Sequence, residues 1–400
     1  MKRAIPFNWP YMTGREFDYI REAHRNGILA GDGPLTKRCE RWFEEHTGSR
    51  RVLLTHSCTA ALELAALLLD TAPGDEIIMP SFTFVSTANA FALRGGVPVF
   101  VDIRPDTLNL DERLIEAAIT ARTRAIVPVH YAGVACAMDP VMEIATHYKL
   151  TVIEDAAQGV LASYRGRALG SIGQMGAYSF HETKNLTAGE GGALLVENPE
   201  LASRAEVVRE KGTDRSSYFR GEVGKYSWQE LGSSYLPGEI VAGFLLAQLE
   251  SADEITEHRQ RLWRRYHELL APLEAQELLR RPVVPPDCTH NAHIYYVVLA
   301  PGTSRAGVLD VLGHHQIDAI SHYVPLHSSP AGRRFGRPSG SLQLTEEIAE
   351  HVVRLPLWIG LEPSDQDRVV EVLHAAIAKH GAGRAAAARP SRRRPLPMAA

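Results

Sequence analysis

The sequence predicts an α/β protein built around a mostly parallel sheet with helices on both faces. Short apolar runs alternate with helical segments between residues 51 and 196, and parallel strands need such helices to connect them. The runs are apolar almost throughout, as strands covered on both faces are. Polar and small residues follow several of the runs, where a parallel sheet binds its ligands.

The first 50 residues are predicted to form an extended arm and one helix over 16–30, which ends at the turn Gly31-Asp-Gly-Pro34. The apolar runs then predict strands at 51–55, 76–79, 97–102, 125–129, 151–154, 177–180 and 193–196. Helical composition and spacing predict helices at 59–69, 82–93, 111–119, 138–147 and 204–211.

The second half of the chain predicts a long loop, a long helix and a smaller α/β unit. Residues 214–234 are polar and aromatic without a regular period, which is typical of a loop that is either functional or disordered. Apolar residues at helical spacing predict one helix over 239–270 that bridges two lobes. Within residues 290–380 we expect strands at 294–299 and 317–322 and helices at 305–315 and 365–379.

These elements predict a division of the chain into two domains and a tail. An N-terminal arm and a large cofactor-binding domain are expected over residues 1–245, and a small C-terminal domain over residues 246–380. The tail, 381–400, is rich in Ala, Pro and Arg, which predicts disorder. A tail that binds a polyanion is the alternative.

Composition excludes several classes of protein. The 400 residues are 45% hydrophobic and 22% charged, as in ordinary globular proteins, and the net charge of −4 predicts no affinity for nucleic acid. No apolar run reaches membrane-spanning length, and prolines interrupt the N-terminus, so we expect neither a membrane span nor a signal peptide. The four cysteines lack metal-ligand spacing. A cytoplasmic protein without a bound metal is therefore expected.

Ser57-Cys58-Thr59 lies between a predicted strand and a predicted helix. Hydroxyls, a thiol and free backbone N–H groups at the positive end of a helix form an anion site, although a simple helix cap is the alternative. The chain has neither the glycine–lysine pattern of a nucleotide-triphosphate loop nor the glycine spacing of a dinucleotide-binding turn. Both of those nucleotide sites are excluded.

Asp155 ends a buried strand, and Gln158 follows it by one helical turn. A buried carboxylate costs free energy unless a cation or a donor meets it. We interpret Asp155 as the partner of a protonated ring nitrogen, with Gln158 close to an oxygen of the same ring. A carboxylate that caps a helix is the alternative.

Lys184 lies in an irregular stretch that is followed by Gly189-Glu-Gly-Gly192. A loop lysine is usually a solvated charge, but apolar residues precede this one. Partial desolvation lowers the pKa of an amine and makes it a nucleophile that forms Schiff bases. An anion site, a ring-nitrogen acid and an amine are together what pyridoxal 5′-phosphate requires, so this cofactor is predicted.

Four segments resemble the DegT/DnrJ/EryC1/StrS family of nucleotide-sugar aminotransferases. They are PSFTFVST at 80–87, VHYAG at 129–133, EDAAQ at 154–158 and SFHETKN at 179–185, and the resemblance covers residues 4–378. It implies the aspartate aminotransferase-like architecture of fold-type I pyridoxal-phosphate enzymes. That architecture has a mostly parallel seven-stranded sheet in the large domain and a smaller α/β C-terminal domain.

The resemblance implies a role for each matching residue. Lys184 corresponds to the lysine that binds the cofactor covalently, and Asp155 to the carboxylate at the pyridine nitrogen. The other implied cofactor contacts are Gln158 at the ring hydroxyl, Phe84 on the ring face, and Cys58, Thr59 and Ser179 at the phosphate. The family often has Gly where this chain has Cys58. Ser234 falls where many members have an Asn from the neighbouring subunit, which implies a homodimer with shared active sites.

The resemblance also implies the substrates. L-glutamate is the expected amino donor, and the expected acceptor is C4 of a dTDP-linked 4-keto-6-deoxy sugar. Tyr323 and His327 resemble the family's segment near the sugar. Arg215 and Arg220 supply cations for the diphosphate, unless they belong to a solvated basic loop.

Three rival functions remain at this stage. The acceptor is alternatively a 4-keto pentose or a 3-keto sugar, as in antibiotic-sugar pathways. A sugar dehydratase is a second rival, but family dehydratases have His where this chain has Lys184. A regulator that binds the cofactor without turnover is a third, and the intact pair of Lys184 and Asp155 argues against it.

Overall fold

The computed structural model describes residues 3–381, and its largest element is an eight-stranded sheet. The strands of all sheets in the described part of the chain are β1 Arg51–Thr55, β2 Glu76–Pro80, β3 Val97–Val101, β4 Thr123–Ile126, β5 Thr151–Asp155, β6 Ser163–Tyr164, β7 Arg167–Ala168, β8 Met175–Ser179, β9 Gly192–Val196, β10 Leu279–Arg280, β11 Cys288–Thr289, β12 Tyr295–Leu299, β13 Arg337–Pro338 and β14 Val352–Leu355.

Helices connect the strands on both faces of this sheet. They are α1 Glu16–Arg25, α2 Pro34–Thr47, α3 Cys58–Leu68, α4 Val85–Ala92, α5 Ile115–Ala118, α6 Met138–Tyr148, α7 Pro199–Arg209, α8 Arg215–Phe219, α9 Glu239–Glu250, α10 Ala252–Leu269, α11 Ala271–Ala275, α12 Arg305–His314, α13 Pro330–Phe335, α14 Gln343–His351 and α15 Pro363–His380. Within residues 3–381, no helix has both the length and the apolarity needed to cross a bilayer. From residue 382 onward, the tail that was predicted to be disordered lies outside the described residues.

The large sheet has the order β1-β9-β8-β5-β4-β2-β3-β13. Strand β9 is antiparallel to both of its neighbours, and the other pairs are parallel. Seven strands of this sheet, β1 to β5, β8 and β9, agree with the predicted sheet, whereas β6 and β7 pair with β11 in a separate small sheet. The eighth, β13, is contributed by the C-terminal part of the chain and adds two residues beside β3. The predicted α/β class is confirmed.

Two apolar layers cover the sheet because successive side chains of a strand point to opposite faces. In β5, Val152 packs into one layer and Ile153 into the other. Helices α2, α6 and α9 contribute to the first layer, and α3, α4 and α7 to the second. A sheet that is buried in this way leaves only its strand ends free to form a site.

The N-terminal region contains two helices rather than the single predicted one. The first ends at Arg25, and α2 begins at Pro34. The carboxylate of Glu239 accepts hydrogen bonds from the backbone N–H groups of Leu35 and Thr36, at 2.8 and 3.0 Å. A residue more than 200 positions away thus caps α2, which local sequence patterns cannot reveal.

The predicted long helix over 239–270 is two helices, α9 and α10. The backbone leaves helical geometry at Ser251, where φ is −111° and ψ is 15°. Apolar spacing continues across this break, so periodicity alone suggests one helix. Leu249 packs against the large sheet, whereas Trp263 belongs to a separate apolar cluster with β12 and β14. The predicted domain boundary at residue 245 lies inside α9 and stays a prediction.

The predicted strand over 317–322 does not form. Ile317 pairs with Ile5 of the N-terminal arm, and Ile320 pairs with Arg354, each as a single bridge. The small sheet has the order β10-β12-β14, and its strand β14 follows a helix that the sequence analysis missed. Ile317 is buried whereas Ile320 is exposed, so the segment 317–322 makes two isolated bridges on different partners and no regular ladder.

Candidate active site

A cavity of about 410 Å³ lies beyond the carboxyl ends of β5 and β8, where α3 and α4 begin. Nine predicted site residues line it: Ser57, Cys58, Thr59, Phe84, Asp155, Gln158, Ser179, Lys184 and Tyr323. The first eight end or follow strands of the large sheet, whereas Tyr323 comes from the C-terminal part of the chain. The structure therefore brings the three predicted motifs together in one site.

The first turn of α3 forms one end of the cavity. The side-chain oxygen of Ser57 caps the helix by accepting a hydrogen bond from the Ala60 N–H at 3.1 Å. The N–H groups of Cys58 and Thr59, at the start of the helix, have no carbonyl four residues before them inside the helix. The Thr59 and Ser86 hydroxyl oxygens lie 2.7 Å apart. This end of the cavity suits an anion such as a phosphate.

Gly192, the first residue of β9, makes room for the start of α3. A Cβ at position 192 would lie 2.4 Å from the Ser57 carbonyl carbon and 2.5 Å from the Cys58 nitrogen. We expect Gly192→Ala to displace these groups and to weaken pyridoxal-phosphate binding by the apoprotein about tenfold or more. Titration of the apoprotein with the cofactor, followed by absorbance, measures this effect.

Gly191→Ala is the matched control for that experiment. A Cβ at position 191 would have its nearest contact at 3.3 Å, on the Phe180 side chain, and would not touch α3. Its dissociation constant for the cofactor should stay near the wild-type value. Equal constants for the two variants would contradict the role given to Gly192.

Asp155 ends β5 with its carboxylate turned into the cavity. Only 5% of the residue is exposed. One carboxylate oxygen accepts a hydrogen bond from the Thr87 hydroxyl at 2.7 Å, and the other accepts one from the Ala157 N–H at 3.1 Å. Each oxygen retains a second acceptor position. Asp155 can therefore also accept a hydrogen bond from a protonated ring nitrogen.

Lys184 lies in the wall of the same cavity. Its backbone N–H donates to the His181 carbonyl at 2.8 Å, which fixes the turn after β8. Burial lowers the pKa of the Lys184 amine, while the Cys58 thiol and the Asp155 carboxylate act in the opposite direction. Across the described residues, no carboxylate lies within 4.0 Å of the amine. The amine is thus available to a ligand.

Gln158 and Tyr323 form a side wall of the cavity. The Gln158 amide nitrogen donates to the Tyr323 hydroxyl at 3.0 Å, and the Gln158 oxygen accepts from the Ala132 N–H at 2.7 Å. The Tyr323 ring stacks on His322, with centroids 3.9 Å apart. Phe84, which is 59% exposed, lies at the cavity as a flat apolar surface.

Four predicted site residues do not line this cavity. Arg215 pairs with Glu210 at 3.3 Å, and Arg220 pairs with Glu206 at 2.9 Å, both beside the short helix α8 inside the predicted loop. His327 contacts the Ser81 hydroxyl at 2.8 Å, and Ser234 is exposed to solvent. Their contacts with a nucleotide sugar or a partner subunit stay predictions.

The sequence analysis missed several cavity residues. Thr83 and Ser86 lie within two residues of Phe84, so their places near a predicted contact residue were the signal available. His293, His322 and Arg354 lie beyond the large sheet and are brought to the cavity only by the fold. His181 and Glu190 also line the cavity and flank Lys184 in the sequence.

These side chains fit pyridoxal 5′-phosphate. The start of α3 can hold the phosphate, Asp155 the ring nitrogen, and Phe84 a ring face, while the Lys184 amine has no competing carboxylate among the described residues. Burial raises the pKa of the Cys58 thiol well above its usual range, so a neutral thiol lies beside the phosphate position.

Comparison with known proteins identifies the family. The DegT/DnrJ/EryC1/StrS aminotransferase family matches residues 10–374. GDP-perosamine synthase of Caulobacter vibrioides is 34% identical over 366 residues, which are 91% of this chain and 96% of that protein. The structure of DesI in the presence of its TDP-sugar product has a TM-score of 0.86 and 28% identity, and covers 97% of this chain and 96% of that one.

A third relative shows the cofactor. The putative sugar aminotransferase Spr1654 of Streptococcus pneumoniae has been solved in a PLP form and in a PMP form. Its PLP form has a TM-score of 0.87 and 25% identity, and covers 94% of this chain and 99% of that chain. The chain belongs to the DegT/DnrJ/EryC1/StrS aminotransferase family and is a pyridoxal-phosphate-dependent aminotransferase that acts on nucleotide-linked sugars.

Proposed function

We propose that the enzyme transfers the amino group of L-glutamate to C4 of a dTDP-linked 4-keto-6-deoxyhexose and forms a dTDP-4-amino-4,6-dideoxyhexose. The observation that supports transamination is the placement of Lys184, Asp155 and the start of α3 around one cavity. The site segments resemble those of dTDP-4-amino-4,6-dideoxygalactose transaminase. This resemblance supports the nucleotide, the sugar and the position of amination.

Lys184 is the proposed covalent anchor of the cofactor and the proton carrier of the reaction. Pyridoxal 5′-phosphate, when bound, supplies an aldehyde that exchanges amino groups and a ring that delocalises negative charge. The Lys184 amine removes the proton from Cα of the donor and returns a proton to C4 of the sugar in the second half of the reaction. Burial lowers the pKa of this amine and thereby favours its neutral, basic form.

The other residues of the cavity hold the reactants. Asp155 is proposed to keep the ring nitrogen protonated, with Thr87 fixing the orientation of the carboxylate. The start of α3 holds the phosphate, and Phe84 covers the ring. Gln158 and Tyr323 form the side wall of the cavity. The Gln158 amide is proposed to contact the ring oxygen, and the Tyr323 hydroxyl is proposed to contact the sugar.

The relatives of this chain differ in the nucleotide of their sugars. DesI has a TDP-sugar product, whereas another relative of similar length makes GDP-perosamine. A single methyl group in a pocket is worth only about 1–3 kcal/mol of discrimination, so 6-deoxy and pentose acceptors are close competitors. The substrate test must therefore vary the nucleotide and the sugar separately.

A panel of dTDP-, UDP- and GDP-linked keto sugars tests the substrate. The holoenzyme is first converted to its amino form with L-glutamate, and each sugar is then added and analysed by mass spectrometry. We expect the dTDP-linked 4-keto-6-deoxyhexose to be aminated with the highest kcat/KM. A higher kcat/KM for a GDP-linked, pentose or 3-keto acceptor would replace the proposed substrate, and no amination at all would refute the proposed activity.

We also propose a homodimer with shared active sites. The segment 210–234 carries Arg215, Arg220 and Ser234, and it exposes large apolar side chains such as Trp228, which is 75% exposed. Such a surface is typical of one that a second subunit covers. Light scattering should give twice the monomer mass of 44.0 kDa, and a monomer would exclude the shared site.

A further inference from the structure

His293 lies in the cavity wall, shortly before strand β12, and only 4% of it is exposed. One ring nitrogen, Nδ1, lies 2.9 Å from the side-chain oxygen of Asn185. Among the described residues, the other ring nitrogen, Nε2, has no hydrogen-bond partner, and it is not sealed from the cavity. His293 therefore offers the cavity a polar atom that the proposed function does not use.

The hydrogen bonds of Asn185 fix which nitrogen of His293 carries the hydrogen. The Asn185 amide nitrogen donates to the Asn291 backbone carbonyl at 2.7 Å. A carbonyl only accepts, so the Asn185 atom that faces His293 is the oxygen, which also only accepts. Nδ1 must therefore carry the hydrogen, and a lone pair remains on Nε2. Burial lowers the pKa of His293 well below its usual range, and the charges of Lys184 and Arg259 act in the same direction, so the ring is neutral.

The position of the His293 ring is fixed relative to Lys184. The His293 carbonyl accepts a hydrogen bond from Arg259 at 2.6 Å, and the His293 N–H donates to the Asn291 side-chain oxygen at 3.1 Å. Asn185, which holds the ring, is the residue directly after Lys184 in the chain. One short segment thus carries the amine and holds the imidazole, and both groups line the same cavity.

A neutral acceptor suits an amine that must gain and lose a proton. The lone pair on His293 accepts N–H or O–H donors and does not bind a carboxylate or a phosphate. No carboxylate in the described chain lies within 4.0 Å of the Lys184 amine. A carboxylate there would raise the pKa of the amine and favour its charged form, whereas a neutral imidazole orients the amine with a smaller effect on its pKa. An amine that donates one N–H keeps its lone pair free to take up a proton.

We propose that His293 Nε2 accepts a hydrogen bond from the Lys184 amine whenever this amine is not bound covalently, and that the bond holds the amine in place for proton transfer. His293 is then a positioning residue, because it acts through Lys184. This inference rests on the proton-carrying role proposed for Lys184 and adds the residue that orients the amine. Asn185 contributes by keeping the hydrogen of the imidazole on Nδ1.

The first test uses the apoprotein, in which the Lys184 amine is free. His293→Asn keeps an amide that can donate to Asn185 but has no atom at the position of Nε2, whereas His293→Gln places an amide oxygen near that position. The pKa of Lys184 is measured from the pH dependence of its labelling by an amine-specific acylating reagent, with the label located by mass spectrometry. Loss of the acceptor destabilises the ammonium form, so His293→Asn should lower this pKa by about one unit. His293→Gln should stay within about half a unit of the wild type.

The second test follows the two half-reactions of the holoenzyme separately, by the absorbance of the bound cofactor. A misplaced amine slows proton transfer without weakening substrate binding, so His293→Asn should lower kcat about 10- to 100-fold in both half-reactions and leave the KM for L-glutamate near the wild-type value. The primary isotope effect with α-deuterated L-glutamate should rise, and His293→Gln should recover most of the rate. Thermal unfolding of both variants controls for damage to the fold.

Two results would overturn the role of His293. One is a folded His293→Asn variant with the wild-type pKa of Lys184 and the wild-type kcat. The other is an equal loss in both variants with a raised KM for L-glutamate and a lower melting temperature, which indicates a structural role.

A measurement on the wild-type apoprotein covers the case in which His293→Asn does not fold. Nitrogen NMR of protein labelled in its histidines reports which ring nitrogen carries the hydrogen, and His293→Gln identifies the resonance of His293. A hydrogen on Nδ1 alone supports the inference, and a hydrogen on Nε2 refutes it. Absence of amination with every sugar would refute the proposed function, whereas the apoprotein measurements would still decide whether His293 orients Lys184.

Discussion

Lys184→Ala should abolish transamination, lowering kcat by about three to six orders of magnitude. The amine is both the proposed anchor of the cofactor and the proposed proton carrier, and the described residues include no other lysine in the cavity. The variant should fold normally because no carboxylate among these residues pairs with the amine. Steady-state rates measure the loss of turnover, and visible absorbance shows whether the cofactor is still bound covalently. The mass of borohydride-treated peptides identifies the residue that carries the cofactor.

Lys184→Arg separates the charge of this residue from its chemistry. An arginine keeps a cation in the cavity but is never deprotonated in proteins, so it should be as inactive as Lys184→Ala. Added primary amines should restore part of the activity of the alanine variant if Lys184 carries the proton. Normal turnover in either variant, or a borohydride label on a different residue, would show that Lys184 has been assigned wrongly.

Asp155→Asn should lower kcat about 10²- to 10³-fold in both half-reactions. An amide keeps the volume of the carboxylate but cannot stabilise a protonated ring nitrogen by charge. Because Asn can still accept a hydrogen bond from the Ala157 N–H, the turn after β5 should persist. Single-turnover kinetics measure the effect, and thermal unfolding of the apoprotein shows whether the fold is retained.

Thr87→Val is the matched control for Asp155→Asn. It removes the hydroxyl that donates to Asp155 at 2.7 Å but leaves the carboxylate in the cavity. We expect a loss of about tenfold, at the low end of what a hydrogen bond to a charged group contributes, because the carboxylate keeps its charge and its bond from the Ala157 N–H. Near-wild-type activity in Asp155→Asn would remove Asp155 from the mechanism. Equal losses in both variants would show that the charge of Asp155 adds nothing beyond its hydrogen bond with Thr87.

The cofactor residues from the large sheet could be predicted because they follow strands. Asp155 ends β5, and Ser179 ends β8. In a parallel sheet, the carboxyl ends of the strands meet at one edge, so residues far apart in the chain converge without knowledge of the packing. This rule also placed Ser57-Cys58-Thr59 and Lys184 correctly at the cavity. Their chemical roles remain proposals.

The sequence by itself determined the α/β class and the three motifs that surround the cavity. Only the tertiary structure decided where α9 ends, how Glu239 caps α2, and that Arg354 faces the cavity occupied by Lys184. The physical reason is the range of the interactions. Hydrophobic periodicity and strand ends are local properties, whereas caps, helix breaks and unpaired buried charges depend on contacts between residues that are distant in the chain.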